Sequence, residues 1–224
     1  MTIGQKLTKR AFGRKNFAAI VPRTDFGQIQ EGAFRVAASE TGAAIHGIYQ
    51  FSNEEEARTA VEQLVPFLIS GTVDAIFLPD RATAPSIAVL LESAQIEKSD
   101  ITIIGSADWD GDVKVSQTPF LTGAFFPAVD GAGYERLKPE YEAIYGVAPH
   151  PMATFAYTSI LLANSSSLAN ATPRYDRNQL TRPSGFAGQD GVFRFFDNGT
   201  NQHALVVKQV VIDGSRIVDG AKMP

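Results

Sequence analysis

The chain has 224 residues, 44% of them hydrophobic and 20% charged, with a net charge of −4 and no cysteine. Such a composition suits a globular chain of one or two domains that buries a real core. It excludes disulfides, thiolate zinc sites and a cysteine nucleophile, and an acidic balance without a basic stripe argues against nucleic acid as a partner.

Residues 3–12 read as a short helix, with Leu7 and Ala11 four apart on one face. The N-terminus contains no apolar h-region followed by a small-residue cleavage site, so the chain reads either as not exported or as a mature or truncated piece. Asn16-Phe-Ala-Ala-Ile-Val-Pro is a first buried strand. Arg23-Thr-Asp-Phe-Gly is its loop, and Asp25 is placed to cap the next helix. Ile29, Ala33, Val36 and Ala37 form the apolar stripe of that helix, and Thr41-Gly42 ends it. Ala44-Ile-His-Gly-Ile-Tyr-Gln-Phe is strand two. Ser52 or Asn53 caps a helix with Glu54, Glu55 and Glu56 in its first turn, where carboxylates favour the positive dipole end. Ala57, Val61, Leu64 and Leu68 line its buried face, and Pro66 should kink it or begin a new turn.

Asp74-Ala-Ile-Phe-Leu-Pro is strand three. A helix begins at Thr83, with Pro85 in its first turn and Ile87, Leu90 and Leu91 turned inward. Ile101-Thr-Ile-Ile-Gly is strand four, followed by the loop Ser106-Ala-Asp-Trp-Asp-Gly-Asp. A fifth strand, Thr122-Gly-Ala-Phe-Phe-Pro, precedes two helices over about 131–145 and 152–168. Residues 170–183 read as loop with a short helix at 177–181. The end of the chain is β in character: an alternating run from Gly191, a turn at Asp197-Asn-Gly, and a long strand over 203–212. Asp213-Gly214 then makes a hairpin into 215–218.

The first four strands start near Phe17, Ala44, Asp74 and Ile101, in steps of 27, 30 and 27 residues. Each step holds a strand, a loop and an amphipathic helix, the size of a βαβ unit. Parallel strands crossed by helices bring alternate loops to one edge of the sheet, and open α/β sheets bind small molecules at that carboxyl edge. Asp25, Phe26 and Gly27 follow strand one, Asp80 and Arg81 follow strand three, and Ser106, Ala107, Asp108 and Trp109 follow strand four. An aromatic surface, an arginine, a carboxylate and a hydroxyl from separate loops suit a small polar ligand. The alternative is that these residues are helix caps and core edges.

Catalytic motifs are missing. The chain has no P-loop, no G-x-G-x-x-G after a strand and no G-x-S-x-G elbow. His46, His150 and His203 lie far apart and none has metal-ligand spacing. Asp108-Trp-Asp-Gly-Asp112 superficially resembles a calcium loop, but Val113 and Pro119 stand where an EF-hand needs glycine and a bidentate glutamate. No catalytic residue, metal or cofactor is expected.

Ala18-Ala-Ile-Val-Pro-Arg-Thr-Asp-Phe-Gly resembles the strand, D-x-Y/F-G, helix element of type I periplasmic binding proteins, the leucine/isoleucine/valine-type solute receptors of ABC transporters. Gly71-Thr-Val-Asp-Ala-Ile-Phe-Leu-Pro and Ile104-Gly-Ser-Ala-Asp-Trp resemble later elements of the same family. So do Tyr141-Glu-Ala-Ile-Tyr-Gly-Val-Ala-Pro, Ala156-Tyr-Thr-Ser and Gly188-Gln-Asp-Gly-Val-Phe-Arg-Phe-Phe-Asp-Asn-Gly. The resemblance runs in order over nearly the whole chain.

It implies an α/β fold, a parallel sheet flanked by helices. Residues 1–125 would be the ligand-binding second lobe. Residues 126–205 would be a crossing segment and helices of an incomplete first lobe, and the hairpin strands over 206–224 would belong to that partner lobe. It also implies a periplasmic, non-enzymatic solute-binding protein for an amino acid or related small polar ligand, with a transporter permease as partner. Family members are longer, which leads to the expectation of a truncated chain. Leu137, Tyr141, Ile144, Phe155, Ile160 and Leu161 would then lack cover, and self-association through 131–168 would supply it.

In amino-acid receptors of the family the loop after strand four offers a carboxylate to the ligand ammonium. Ala107 stands at that position here, with Asp108 one place later, and Arg81 stands where an aromatic is common. An anionic or larger ligand fits Arg81 better. The family also includes receptor-like lipoproteins that activate penicillin-binding proteins, which makes a penicillin-binding protein the alternative partner.

Overall fold

The computed structural model describes residues 13–150 and 152–221. The helix expected over 3–12 lies outside the described residues. Those up to Ala128, together with Val207–Asp219, form one compact unit, and Val129–Val206 form a second.

The first unit is built on five strands: β1 (Asn16–Pro22), β2 (Ala44–Phe51), β3 (Ala75–Phe77), β4 (Thr102–Ile104) and β5 (Phe125–Ala128). In β1 the residues from Phe17 to Val21 are all buried, as a strand covered on both faces requires. β1 runs parallel to β2 and β3, and β4 parallel to β3 and β5. Full burial of such Ile, Val and Phe side chains contributes about 1.5–3 kcal/mol each, which favours these short strands despite their length.

Three helices make the crossovers: α1 (Asp25–Thr41), α2 (Glu54–Ile69) and α3 (Ala84–Ser93). The Asn53 side chain accepts the Glu56 N–H and caps α2, and Ala57, Ala60, Val61, Leu64 and Leu68 form its buried face. Pro66 neither kinks nor restarts α2, which runs through it to Ile69. The carbonyl left without a donor there belongs to Glu62, which is exposed and can be solvated. The cap of α1 is Thr24, whose hydroxyl accepts the Gly27 N–H. Asp25, expected to cap, is instead the first helical residue, where its charge meets the dipole.

Strand order in the sheet is β2-β1-β3-β4-β5, and two further strands, β9 (Val206–Val211) and β10 (Gly214–Asp219), continue it beyond β5. The resemblance assigns 206–224 to a partner lobe; the structure instead seats this antiparallel hairpin in the same sheet. Gly123 N donates to Val210 O and Val210 N to Ala124 O, at 2.8 and 2.9 Å, so the outer edge of β5 gains the backbone partner that a buried edge needs. A short helix, α4 (Val113–Gln117), lies between β4 and β5.

The second unit holds α5 (Ala132–Tyr145), α6 (Ala153–Ala163), α7 (Ser166–Ala169) and α8 (Arg177–Leu180). Its three antiparallel strands are β6 (Phe186–Gly188), β7 (Gly191–Phe195) and β8 (Asn201–His203). Leu168, Phe186 and Phe193 form its small core. The helix expected over 152–168 is two helices, because the chain leaves helical geometry at Asn164 and Ser165. Within α6 the residues that point inward are Thr154 and Thr158, while Ile160 and Leu161 are exposed. Thr158 Oγ1 accepts the Gln189 N–H at 3.0 Å, while Leu162 packs on the small core and Phe155 meets His203 edge-on. No helix among the described residues is long and apolar enough to cross a membrane.

Candidate ligand site at the carboxyl edge of the sheet

Because β1, β3 and β4 are parallel, the loops that follow them leave from one edge. The chain steps from β1 to β2 in one direction across the sheet and from β2 through β3 to β4 in the other. With right-handed crossovers, α1 therefore lies on one face, and α2 and α3 lie on the other. The reversal falls between the adjacent strands β1 and β3. Open α/β sheets accept ligands at such a reversal of strand order. Phe26 and Gly27 follow β1, and Asp80 and Arg81 follow β3.

Arg81 and Asp108 meet across two loops. Arg81 N donates to Asp108 Oδ2 at 3.1 Å, and Arg81 Nε lies 3.7 Å from Asp108 Oδ1. The Arg81 side chain is 55% exposed and that of Asp108 29%. The pair thus presents a guanidinium fork at the rim, held in place by its backbone and partly neutralised by the neighbouring carboxylate. Such a fork has five N–H donors and matches a carboxylate bidentately.

The other expected residues divide by what already occupies them. Asp80 Oδ2 accepts the Thr83 hydroxyl at 2.7 Å and Oδ1 accepts the Ala82 N–H at 3.3 Å, so Asp80 organises the entry to α3. Ser106 is buried; its hydroxyl donates to Pro79 O at 2.6 Å and accepts the Asp108 N–H at 3.1 Å. It ties the β4 loop to the β3 loop and has no hydroxyl free for a ligand. Ala107 is exposed, as is Asp25, and Phe26 is half-buried. Gly27 is buried, and a Cβ there would stand 1.8 Å from Pro22 O.

Trp109 is not a stacking surface on the rim. It is 1% exposed, packed near Phe126 with ring centroids 6.2 Å apart, and it fills the space beside Gly105. A Cβ on Gly105 would lie 2.2 Å from the indole, so the glycine four residues earlier is the sequence signal for this burial.

Sequence reasoning missed the groove next to this rim. It has a volume of about 260 Å³, and it runs along the α1 face of the sheet from Phe17 past Phe34 and Phe77 to Ser106, Ala107 and Asp108. Phe34 and Phe77 stack with centroids 5.1 Å apart and planes 9° apart. Among the described residues no group of three or more His, Asp or Glu side chains is arranged to hold a metal ion.

No family model matches the chain, and no curated protein sequence matches it. Solved structures do. A periplasmic ligand-binding protein of a branched-chain amino acid ABC transporter from Burkholderia xenovorans matches with a TM-score of 0.72 at 15% identity, over 96% of this chain and 62% of that one. A substrate-binding protein of an ABC transporter from Desulfitobacterium hafniense, in complex with Leu, matches with a TM-score of 0.65 at 17% identity, over 96% and 64%. A solute-binding protein of an ABC transporter from R. palustris, in complex with benzoate, matches with a TM-score of 0.64 at 14% identity, over 96% and 60%. The chain thus spans less than two thirds of the length of each of these structures.

Proposed function

The chain has the fold of the type I periplasmic binding proteins, and from that premise we propose that it is the solute-binding component of an ABC-type transporter. It holds a small polar ligand at the carboxyl edge of its sheet and does no chemistry on it. The observation that carries this reading is the meeting of Arg81 with Asp108 in the loops after β3 and β4, next to the point where the strand order reverses. A rim built of one anchored guanidinium, the half-buried Phe26 and the exposed residue Ala107 can bind and orient. It contains no nucleophile paired with a base.

The ligand class follows from Arg81. Leucine and benzoate, the ligands named for two structurally similar proteins, share a carboxylate and an apolar body. A guanidinium supplies the partner for the first, and Phe26 supplies apolar contact for the second. Calorimetric titration with leucine and with benzoate tests this. Heat of binding that disappears in Arg81→Ala supports the assignment; binding unaffected by Arg81→Ala removes it.

The partners proposed are a transporter permease and a periplasmic setting. The second unit adds a surface for protein contact: Ile144, Val147, Ile160 and Leu161 are all exposed. Self-association through 131–168 covers them. Sedimentation of the chain and of an Ile160→Glu, Leu161→Glu variant tests this; a monomer that is unchanged by the substitutions excludes it.

A further inference from the structure

The amino edge of the sheet holds a second cavity. β1, β3, β4 and β5 are parallel, so the segments that lead into them share the edge opposite Arg81 and Asp108. Arg14 lies two residues before β1, and Lys98 and Ser99 lie just before β4. Arg14 and Lys98 line one cavity of about 520 Å³, a volume within the range of small-molecule sites. Ile101, Ile103 and Phe120 give it apolar wall, and no Asp or Glu among the described residues lines it.

Both cations are short of partners. Arg14 Nε is shielded from solvent and has no hydrogen-bond partner. Among the described residues neither Arg14 nor Lys98 forms an ion pair. Lys98 Nζ donates to Pro119 O at 3.1 Å, a neutral acceptor that leaves two of its three donors and its charge unmatched. Although Lys98 is exposed as a residue, burial of its ammonium lowers its pKa below the ordinary lysine value. The polar neighbours are already engaged. The Ser99 hydroxyl donates to Asp100 Oδ1 at 3.2 Å. Gln209 Nε2 donates to Gly123 O at 3.1 Å, and Gln209 Oε1 accepts from Arg216. The charge left unmatched in this lining is therefore positive.

We propose that this cavity binds a phosphate monoester with an apolar body. Two uncompensated cations match a head group of about −1.5 to −2 charge near pH 7. Guanidinium and ammonium donors bond phosphate oxygens strongly, and a carboxylate would match only one of the two charges. Ile101, Ile103 and Phe120 offer contact to the body. This site is separate from the carboxyl-edge rim and does not rest on the solute-binding reading.

Phenyl phosphate is the probe, titrated into the full chain by calorimetry and by backbone NMR. Saturable binding is expected, with shifts centred on the amides of Ser99, Thr102 and Gly123. Inorganic phosphate, which lacks the ring, should bind at least about fivefold more weakly, as partial burial of a ring implies. Arg14→Gln and Lys98→Gln should each weaken phenyl phosphate at least about tenfold, the loss expected of one charge-assisted hydrogen bond. Arg81→Ala should leave its affinity unchanged, which separates this site from the rim at the other edge. Urea unfolding checks that the variants fold, and the shifts in the unaltered chain decide the matter if one does not. No saturable binding, equal binding of inorganic phosphate, shifts centred instead on Phe26, Arg81 and Asp108, or affinity unchanged in both folded charge variants would overturn the proposal.

Discussion

The carboxylate of Asp108 holds the backbone N–H of Arg81 at 3.1 Å while standing 3.7 Å from the same residue's Nε. One side chain therefore fixes the loop after β3 and competes for the charge that the loop displays. An exposed ion pair of this kind is worth about 0–1 kcal/mol. Removing the competing charge while keeping a hydrogen-bond acceptor should free the fork for an anionic ligand. Asp108→Asn is expected to tighten benzoate binding by up to about fivefold, which corresponds to that energy. Weaker binding in this variant, measured by calorimetry, would show that Asp108 itself contacts the ligand.

Two glycines mark close packing and a third does not. A Cβ at Gly27 meets Pro22 O at 1.8 Å and one at Gly105 meets the Trp109 ring at 2.2 Å, whereas one at Gly32 meets nothing within 4 Å. Gly27→Ala and Gly105→Ala should each destabilise by about 1–3 kcal/mol through overpacking. Gly32→Ala, in the exposed interior of α1, should stabilise by about 0.4–1 kcal/mol through the unfolded chain. Urea unfolding followed by tryptophan fluorescence reads all three, since the one tryptophan lies in this unit.

Lys208 on β9 donates to Asp110 Oδ1 at 2.7 Å, with the two side chains 15% and 30% exposed. This bond fastens the hairpin strands to the loop after β4. Lys208→Met keeps the aliphatic stem and removes the charge. It is expected to cost about 1.5–3 kcal/mol, the range for a hydrogen bond between charged partners with little solvent. A change below a few tenths of a kcal/mol in urea unfolding would mean that solvent screens the pair.

His203 stacks on Phe193 with ring centroids 5.4 Å apart and meets Phe155 edge-on at the same distance. Burial lowers its pKa below the ordinary histidine value, and the nearby charge of Asp190 opposes that shift. A depressed histidine binds its proton more readily in the unfolded chain. Its stabilising effect is therefore complete above the unfolded value of about 6.5 and is lost as pH falls through the window below it. Thermal melts should show the second unit losing stability as pH falls below about 6.5, and His203→Phe should flatten that slope. An unchanged slope in the variant would assign the pH dependence to other groups.

The parts of the fold legible in the sequence were those set by local apolar runs. β1 and β2 fall on the runs starting at Asn16 and Ala44, and the buried face of α2 follows its stripe of Ala57, Val61, Leu64 and Leu68. Periodicity identifies an apolar stripe but not what covers it, so it misplaced the α1 residues Ile29 and Val36, which are exposed. The partner of β9 was illegible for another reason: sheet pairing between residues 124 and 210 is non-local and leaves no local signal. At the site, strand spacing located the loops of Arg81 and Asp108. It could not separate a hydroxyl facing a ligand from one bonded to Pro79 O, as Ser106 is, nor an exposed indole from the buried Trp109.

The most direct test is a backbone NMR titration of the chain with leucine and with benzoate, which detects binding even in the millimolar range. Saturable shifts concentrated on the amides of Phe26, Gly27, Arg81, Ala107 and Asp108 are expected for at least one of the two. Saturable shifts confined to other parts of the molecule, or none with either compound at saturating concentrations, would contradict a ligand site at this edge of the sheet.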